Sequence, residues 1–368
     1  MKKRFVNLLA LTLSAGILTA CGNVTVVQYD GSIGGQEQQS QAAEGTAEGE
    51  AATGQTAQQE NVSEGAVKTG VSIVTTLEGE SAGAEGDGYS KANISIVAVT
   101  VDENGVIDDC AIDGVQTNIS FTAEGKLGEL KEDYPSKNEL GEAYGMKAAS
   151  PIGKEWNEQA EAVAQYAIGK TVEELKNGAV DEAGMAKDAD LAASATIYIG
   201  GFIHQIEEAV NQATHMGAMA GDEVIITQTT HASKSKDAAN NEDGLTQAYA
   251  TIGVLTLKEG TITSMVIDGV QANVNFDTTG AITSDLAAEV LTKNELGEAY
   301  GMKAASAIGK EWNEQAAAFA AYVTGKTLEE AAGVAVTEEG KAADADLSAS
   351  VTVSLGGFIT LIEKAASK

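Results

Sequence analysis

The sequence predicts an α+β protein of two tandem homologous domains, each a small antiparallel sheet with segregated helices, behind a lipoprotein signal and a disordered tether. Three observations predict it. Residues 137–160 recur as residues 293–316 with identity at 23 of 24 positions, Pro151 against Ala307 being the exception. Before each copy of that block the apolar pattern is β-like, and within and after it the pattern is helical. Ahead of both copies lies a stretch almost without large apolar residues. The offset of 156 residues holds without a gap from Lys137 to beyond Gly201. That is too long for a solenoid unit of roughly 20–50 residues, so a whole domain is repeated.

Taken in order, Lys2, Lys3 and Arg4 form a basic start and Phe5 to Leu18 an apolar run of signal-peptide length. Leu18-Thr-Ala-Cys21 then resembles the lipobox of bacterial lipoproteins. Cleavage before Cys21 would leave its thiol for a diacylglyceryl group. Residues 1–20 are therefore read as a signal peptide and residues 21–65 as the lipidated cysteine and a flexible linker. The linker is rich in Gln, Glu, Ala, Gly, Ser and Thr, which bury too little apolar surface to offset the entropy of ordering. Residues 66–215 and 220–368 are the two domains. No other stretch approaches the roughly 20 apolar residues of a membrane span, so the expected place is the extracellular face of the cell membrane, on a lipid anchor.

In the first domain Val71–Thr76 and Ala92–Val101 read as strands, Asp102-Glu-Asn-Gly105 as a turn, and Val106–Ile112 as the returning strand. Their counterparts are Glu223–Thr229, Tyr249–Leu257, the turn Lys258-Glu-Gly260, and Thr261–Ile267. Asn118-Ile-Ser-Phe121 and Asn273-Val-Asn-Phe276 read as a further strand in each copy. Helices are expected over Ile152–Ile168 and Ile308–Thr324, which carry Trp156 and Trp312. New helices follow with Thr171 and Thr327 as N-caps and Glu174 and Glu330 completing capping boxes. A last amphipathic helix closes each copy.

Composition excludes several classes. The formal net charge is −31, and removal of the signal leaves 20 basic against 54 acidic residues, a net −34. Nucleic acid and anionic headgroups are excluded as partners on that balance. Beyond Cys21 the only cysteine is Cys110, matched in the second copy by Met265, which reads as a small core residue. A disulfide, a haem attachment motif and an iron–sulfur cluster are excluded with it. His204, His215 and His231 have no metal-ligand spacing, and no metal is expected.

Asp188-Ala-Asp-Leu-Ala-Ala-Ser-Ala-Thr196 and Asp344-Ala-Asp-Leu-Ser-Ala-Ser-Val-Thr352 combine carboxylates and hydroxyls among small residues. Here the chain resembles the FMN-binding domain family, which includes the flavin subunit of sodium-pumping NADH:quinone reductase and surface flavoproteins of Gram-positive bacteria. In that family a hydroxyl six residues after an Asp forms a phosphoester with FMN, installed by a separate FMN transferase. The resemblance implies covalent FMN, one per domain and two per chain. Two registers are open. In one, Asp190 and Asp346 precede the acceptors Thr196 and Thr352. In the other, Asp188 and Asp344 precede Ser194 and Ser350. Threonine is the usual acceptor of the family, and neither register contains its glycine.

Tyr144-Gly-Met-Lys147 and Tyr300-Gly-Met-Lys303 supply candidate ring contacts in Tyr144, Met146, Tyr300 and Met302. An aromatic stacks on an isoalloxazine, glycine admits close approach, and lysine steadies an anionic reduced flavin. Trp156 and Trp312 are read first as core anchors and second in the same stacking role. The resemblance implies an electron carrier more than a catalyst. Electrons would come from a quinone- or flavin-dependent membrane donor and go to an extracellular acceptor such as ferric iron or a reductase. The alternative is a non-redox surface protein, for ligand binding or adhesion, that keeps the fold without the flavin.

Overall fold

Among the described residues every strand is antiparallel to its neighbours; the meander pairs follow from their short connections, and the strand Thr214–Met219 joins the edge of Ala66–Glu80 after a long helical excursion. The computed structural model describes residues 65–84 and 86–368; the expected signal peptide, Cys21 and the linker up to residue 64 lie outside them. β1 (Ala66–Glu80), β2 (Gly88–Val101) and β3 (Ile107–Phe121) form a meander, and β4 (Thr214–Met219) adds to the free edge of β1, giving the order β3-β2-β1-β4. β5 (Glu223–His231), β6 (Gly244–Lys258) and β7 (Thr261–Phe276) form a second, three-stranded sheet. The mixed α+β class and the hairpins agree with the sequence reading.

Three details differ. Asn118–Phe121 and Asn273–Phe276 are not separate strands. They continue β3 and β7, whose pairing with β2 and β6 keeps its register through Asp113-Gly114 and Asp268-Gly269. The helices expected from Ile152 and Ile308 start at Trp156 and Trp312. Gly153 and Gly309 turn at positive φ (63° and 64°), and Glu155 and Glu311 head the helices with capping boxes. Finally, the connection after residue 213 is a strand, β4, with Lys68 facing His215 across the pair.

The strands of the middle layer are apolar on both faces, which is what a strand covered twice requires. Along β2, Ile94, Ile96 and Ala98 point into a core shared with Val224, Ile226, Ile252 and Val254 of the other sheet. Val97 and Val99 point the other way, onto helices. The two sheets therefore share one apolar layer, and each carries its helices outside.

In the first half these helices are α1 (Lys137–Leu140), α2 (Trp156–Ala167), α3 (Val172–Gly178), α4 (Ala189–Ala192) and α5 (Gly200–Gln212). In the second they are α6 (Lys293–Leu296), α7 (Trp312–Val323), α8 (Leu328–Ala332), α9 (Ala345–Ser348) and α10 (Gly356–Ala366). The capping boxes at Thr171 with Glu174 and at Thr327 with Glu330 are formed. Trp156 meets Phe202 edge-on at 6.0 Å, and Trp312 meets Phe358 at 5.8 Å, pinning α2 to α5 and α7 to α10. α5 lies close on β1 at Gly70, where a Cβ would sit 1.9 Å from the Ala209 carbonyl oxygen.

Candidate functional site

The Asp188 segment is a helical turn leading into a loop. Small residues and an N-capping carboxylate favour the turn over an extended edge. Asp188 caps α4, accepting from the amides of Asp190 (3.0 Å) and Leu191 (3.1 Å). Asp344 caps α9 in the same way through Asp346 (3.1 Å) and Leu347 (2.9 Å). Asp190 and Asp346 stand exposed on those turns.

Thr196 is held by a buried amide. The side-chain oxygen of Gln159, on α2, accepts from the Thr196 amide (2.7 Å), the Thr196 hydroxyl (3.2 Å) and the Ile197 amide (3.2 Å). Gln159 is fully buried, and its nitrogen donates to Ser150 Oγ and the Lys154 carbonyl. Gln315 repeats the arrangement on Thr352 and Val353 at 2.8, 3.2 and 3.2 Å. Ser194 and Ser350 are half-buried, and their hydroxyls make no hydrogen bond among the described residues.

Tyr144 and Met146 pack against the first helical core, Tyr300 and Met302 against the second. The Tyr144 hydroxyl donates to Gln116 Oε1 at 3.1 Å, and burial raises the pKa of both tyrosines. The buried carboxylate of Glu155 accepts from the amides of Met146 (2.8 Å) and Lys147 (2.9 Å), as Glu311 does from Met302 and Lys303. Lys147 and Lys303 pair with Glu142 and Glu298, each at 3.1 Å. The near-identical block thus has a local structural task for most of its polar groups.

Sequence reasoning missed one pair of residues in that block. Lys137 lies over the rings of Tyr144 (5.1 Å) and Trp156 (4.5 Å). Lys293 lies over Tyr249, Tyr300 and Trp312 at 4.5, 4.8 and 4.4 Å, and donates to the Tyr249 hydroxyl. Such faces attract an ammonium, yet burial pushes both lysines down to about 8. Beneath them Asp113 and Asp268 are buried, and desolvation raises both carboxyls, Asp268 to about 6.

The open space lies elsewhere. A shallow pocket of about 500 Å³ adjoins Thr352, Ser348 and Lys341 in the second half. A larger cleft of about 810 Å³ runs between β1 and β4 on one side and β7, α6 and α7 on the other. Val74, Met216 and Leu291, each 38–39% exposed, line it and are three of the five large apolar side chains left exposed among the described residues. Four carboxyl groups also line it, those of Glu208, Asp268, Glu289 and Glu295, with no Lys or Arg. Thr75 Oγ1, His215 Nδ1 and Asn313 Oδ1, on lining residues, are buried without a hydrogen-bond partner. Its signal in the sequence was the change of charge between repeat positions, Glu208 standing where the second copy has Lys364.

Among the described residues, no group of three or more His, Cys, Asp or Glu is placed to hold a metal ion, and no helix is long and apolar enough to cross a membrane. No family model, no curated protein and no solved structure matches the chain.

Proposed function

We propose that this chain is a lipid-anchored surface protein whose two homologous domains bind a small molecule, without redox chemistry, in the cleft between them. The observation that carries the reading is the cleft's lining: about 810 Å³ of concave space that gathers exposed apolar side chains together with four carboxyl groups and no lysine or arginine. Binding sites are concave, largely apolar and few per protein, with a small number of polar groups to orient the ligand.

The covalent flavin of the family resemblance is the second reading. One observation favours it: Thr352, the preferred acceptor, borders the 500 Å³ pocket. Against it, the hydroxyls of Thr196 and Thr352 are each tied to a buried glutamine. Tyr144, Met146, Tyr300 and Met302, named for ring contact, are half-buried against the helical cores. If flavin is attached, the double variant Thr196→Ala with Thr352→Ala loses it while keeping the fold. The same loss from Ser194→Ala with Ser350→Ala would select the serine register.

The test of the main reading is thermal stability in fractions of small molecules extracted from the host. Ala321→Trp, on an exposed position of α7 lining the cleft, fills the space. A fraction that raises the melting temperature of the wild type and not of Ala321→Trp supports the cleft. Equal shifts in both proteins, or none in either, contradict it.

A further inference from the structure

The halves of this protein meet at two junctions that correspond under the repeat, and the two are finished differently. One junction is closed by ammonium groups. Lys364, on α10, places its amine 2.6 Å from Glu139 Oε1, and Gln228 donates to Glu139 Oε2 at 2.8 Å. Lys368 Nζ donates to the Ile226 carbonyl oxygen at 2.6 Å.

The other junction has none of these groups. The repeat carries Glu139 onto Glu295, Lys364 onto Glu208 and Lys368 onto Gln212. Strand register carries Gln228, paired with Ile252, onto Ile73, paired with Ile96. All four counterparts, Glu295, Glu208, Gln212 and Ile73, line the 810 Å³ cleft. What is filled by the chain's own lysines at the first junction is open space at the second.

The chemistry left behind is one-sided. Glu295 keeps the bond from the Thr292 amide to Oε2 (2.7 Å), but its Oε1 has no partner among the described residues. Glu208 accepts from Ser72 Oγ (2.8 Å), with His204 Nε2 3.3 Å from its other oxygen. Glu289 and the buried Asp268 add to the same field, and no lysine or arginine of the cleft opposes it. Negative charge in a low-dielectric concavity concentrates cations. The apolar walls, with Val71 and Val290 as well as the exposed Val74 and Leu291, suit a hydrocarbon body rather than a hydrated metal ion. The chain's own residues 22–64 contain neither Lys nor Arg, so that stretch brings no such group.

We infer that the cleft takes an aliphatic ammonium compound, with its amino group set against Glu295 as Lys364 is set against Glu139. This rests on the cleft being the binding site and adds the class of ligand. The walls hold the carbon chain, and Glu295 and Glu208 hold the charge. Adhesion to an anionic polymer is disfavoured by the same lining.

Calorimetric titration of the full chain with hexylammonium chloride, hexan-1-ol and sodium hexanoate tests the inference. Hexylammonium should bind saturably, hexan-1-ol more weakly, and hexanoate not at all. Glu295→Gln, nearly isosteric, should weaken hexylammonium binding by about tenfold or more, the loss of a charged hydrogen bond. Glu208→Lys should abolish it by installing in the cleft the ammonium that the other junction already has. Lys364→Met should add a second binding event at the vacated partner of Glu139. If hexan-1-ol binds as tightly as hexylammonium and Glu295→Gln changes neither, the ammonium assignment is overturned and the cleft reading stands. If Glu208→Lys, folded by its melting curve, binds hexylammonium unchanged, the inference is overturned as well. Failure of the cleft itself is a separate result, read from the host-extract experiment with Ala321→Trp.

Discussion

The hydroxyl of Ser90 is hydrogen-bonded to that of Thr246, its own counterpart 156 residues later in the chain. Phe121 likewise stacks on its counterpart Phe276, rings 4.3 Å apart and 6° from parallel. The amide of Ala82 donates to the Gly280 carbonyl, and that of Ala238, its repeat counterpart, donates to the Gly125 carbonyl. Equivalent residues touch one another, which is the signature of an isologous, two-fold contact, here made within one chain.

Because Phe121 and Phe276 are fully buried against each other, truncating either should cost about 3–5 kcal/mol. Residues that share a contact are not additive. Phe121→Ala with Phe276→Ala should therefore destabilise by less than the sum of the single variants, by about 1 kcal/mol for the lost ring pair. Urea unfolding of the four proteins measures this. Strict additivity would mean that the stack contributes nothing beyond area.

Gln159 and Gln315 should matter more than the threonines they hold. Gln159→Ala strands three donors at once, the Thr196 and Ile197 amides and the Thr196 hydroxyl. At about 1–3 kcal/mol for each unsatisfied buried group, the loss exceeds that from Thr196→Val, expected at about 1 kcal/mol. Hydrogen exchange of residues 188–199 should accelerate in Gln159→Ala and barely change in Thr196→Val. Equal acceleration in both would show that the hydroxyl, not the glutamine, organises the loop.

Lys137 and Lys293 give stability a pH window. Burial lowers their pKa from 10.5 to about 8 in the folded protein. Below pH 8 both states carry the proton and the folded state bears the full cost of a buried charge. Between about pH 8 and 10 the unfolded chain holds more protons than the folded one, so stability rises with pH. Tyr249, pushed up to about 12 by burial, opposes this only once unfolded tyrosines ionise near 10. Burial also pushes the Cys110 thiol up, so the unfolded thiol, ionising near 9, opposes the rise within this window. Two lysines outweigh one thiol: the urea midpoint at pH 9.5 should exceed that at pH 7.5, and Lys137→Met with Lys293→Met should abolish or reverse the difference. A midpoint flat across this range in the wild type would refute the assignment.

What was legible in the sequence was local. Thr171 and Glu174 announce their capping box because both halves of it lie within one turn, and Gly105 announces its hairpin because only a few residues take its φ of 77°. The Asp188 and Asp344 segments were harder. Their carboxylates and hydroxyls pointed to modification chemistry, while the bonds that Thr196 and Asp188 make run to a helix 37 residues away and to the first turn of their own helix. Lys137 escaped notice because its cage comes from Tyr144 and Trp156, brought together only by the fold. The cleft belongs to neither copy alone. It exists because Glu208 and Gln212 stand where the other copy has Lys364 and Lys368, a difference that acquires meaning only when the two junctions are seen to correspond.

The most direct test of this account is the mass of the full chain purified from its host, recorded first under native and then under denaturing conditions. A cleft that binds an aliphatic ammonium predicts a small adduct that is present in the native spectrum, lost on denaturation, amine-bearing when recovered, and absent from Ala321→Trp. An adduct that survives denaturation with the mass of FMN, mapped to peptides holding Thr196 and Thr352, with no ligand released from the native protein, would contradict it and restore the electron carrier.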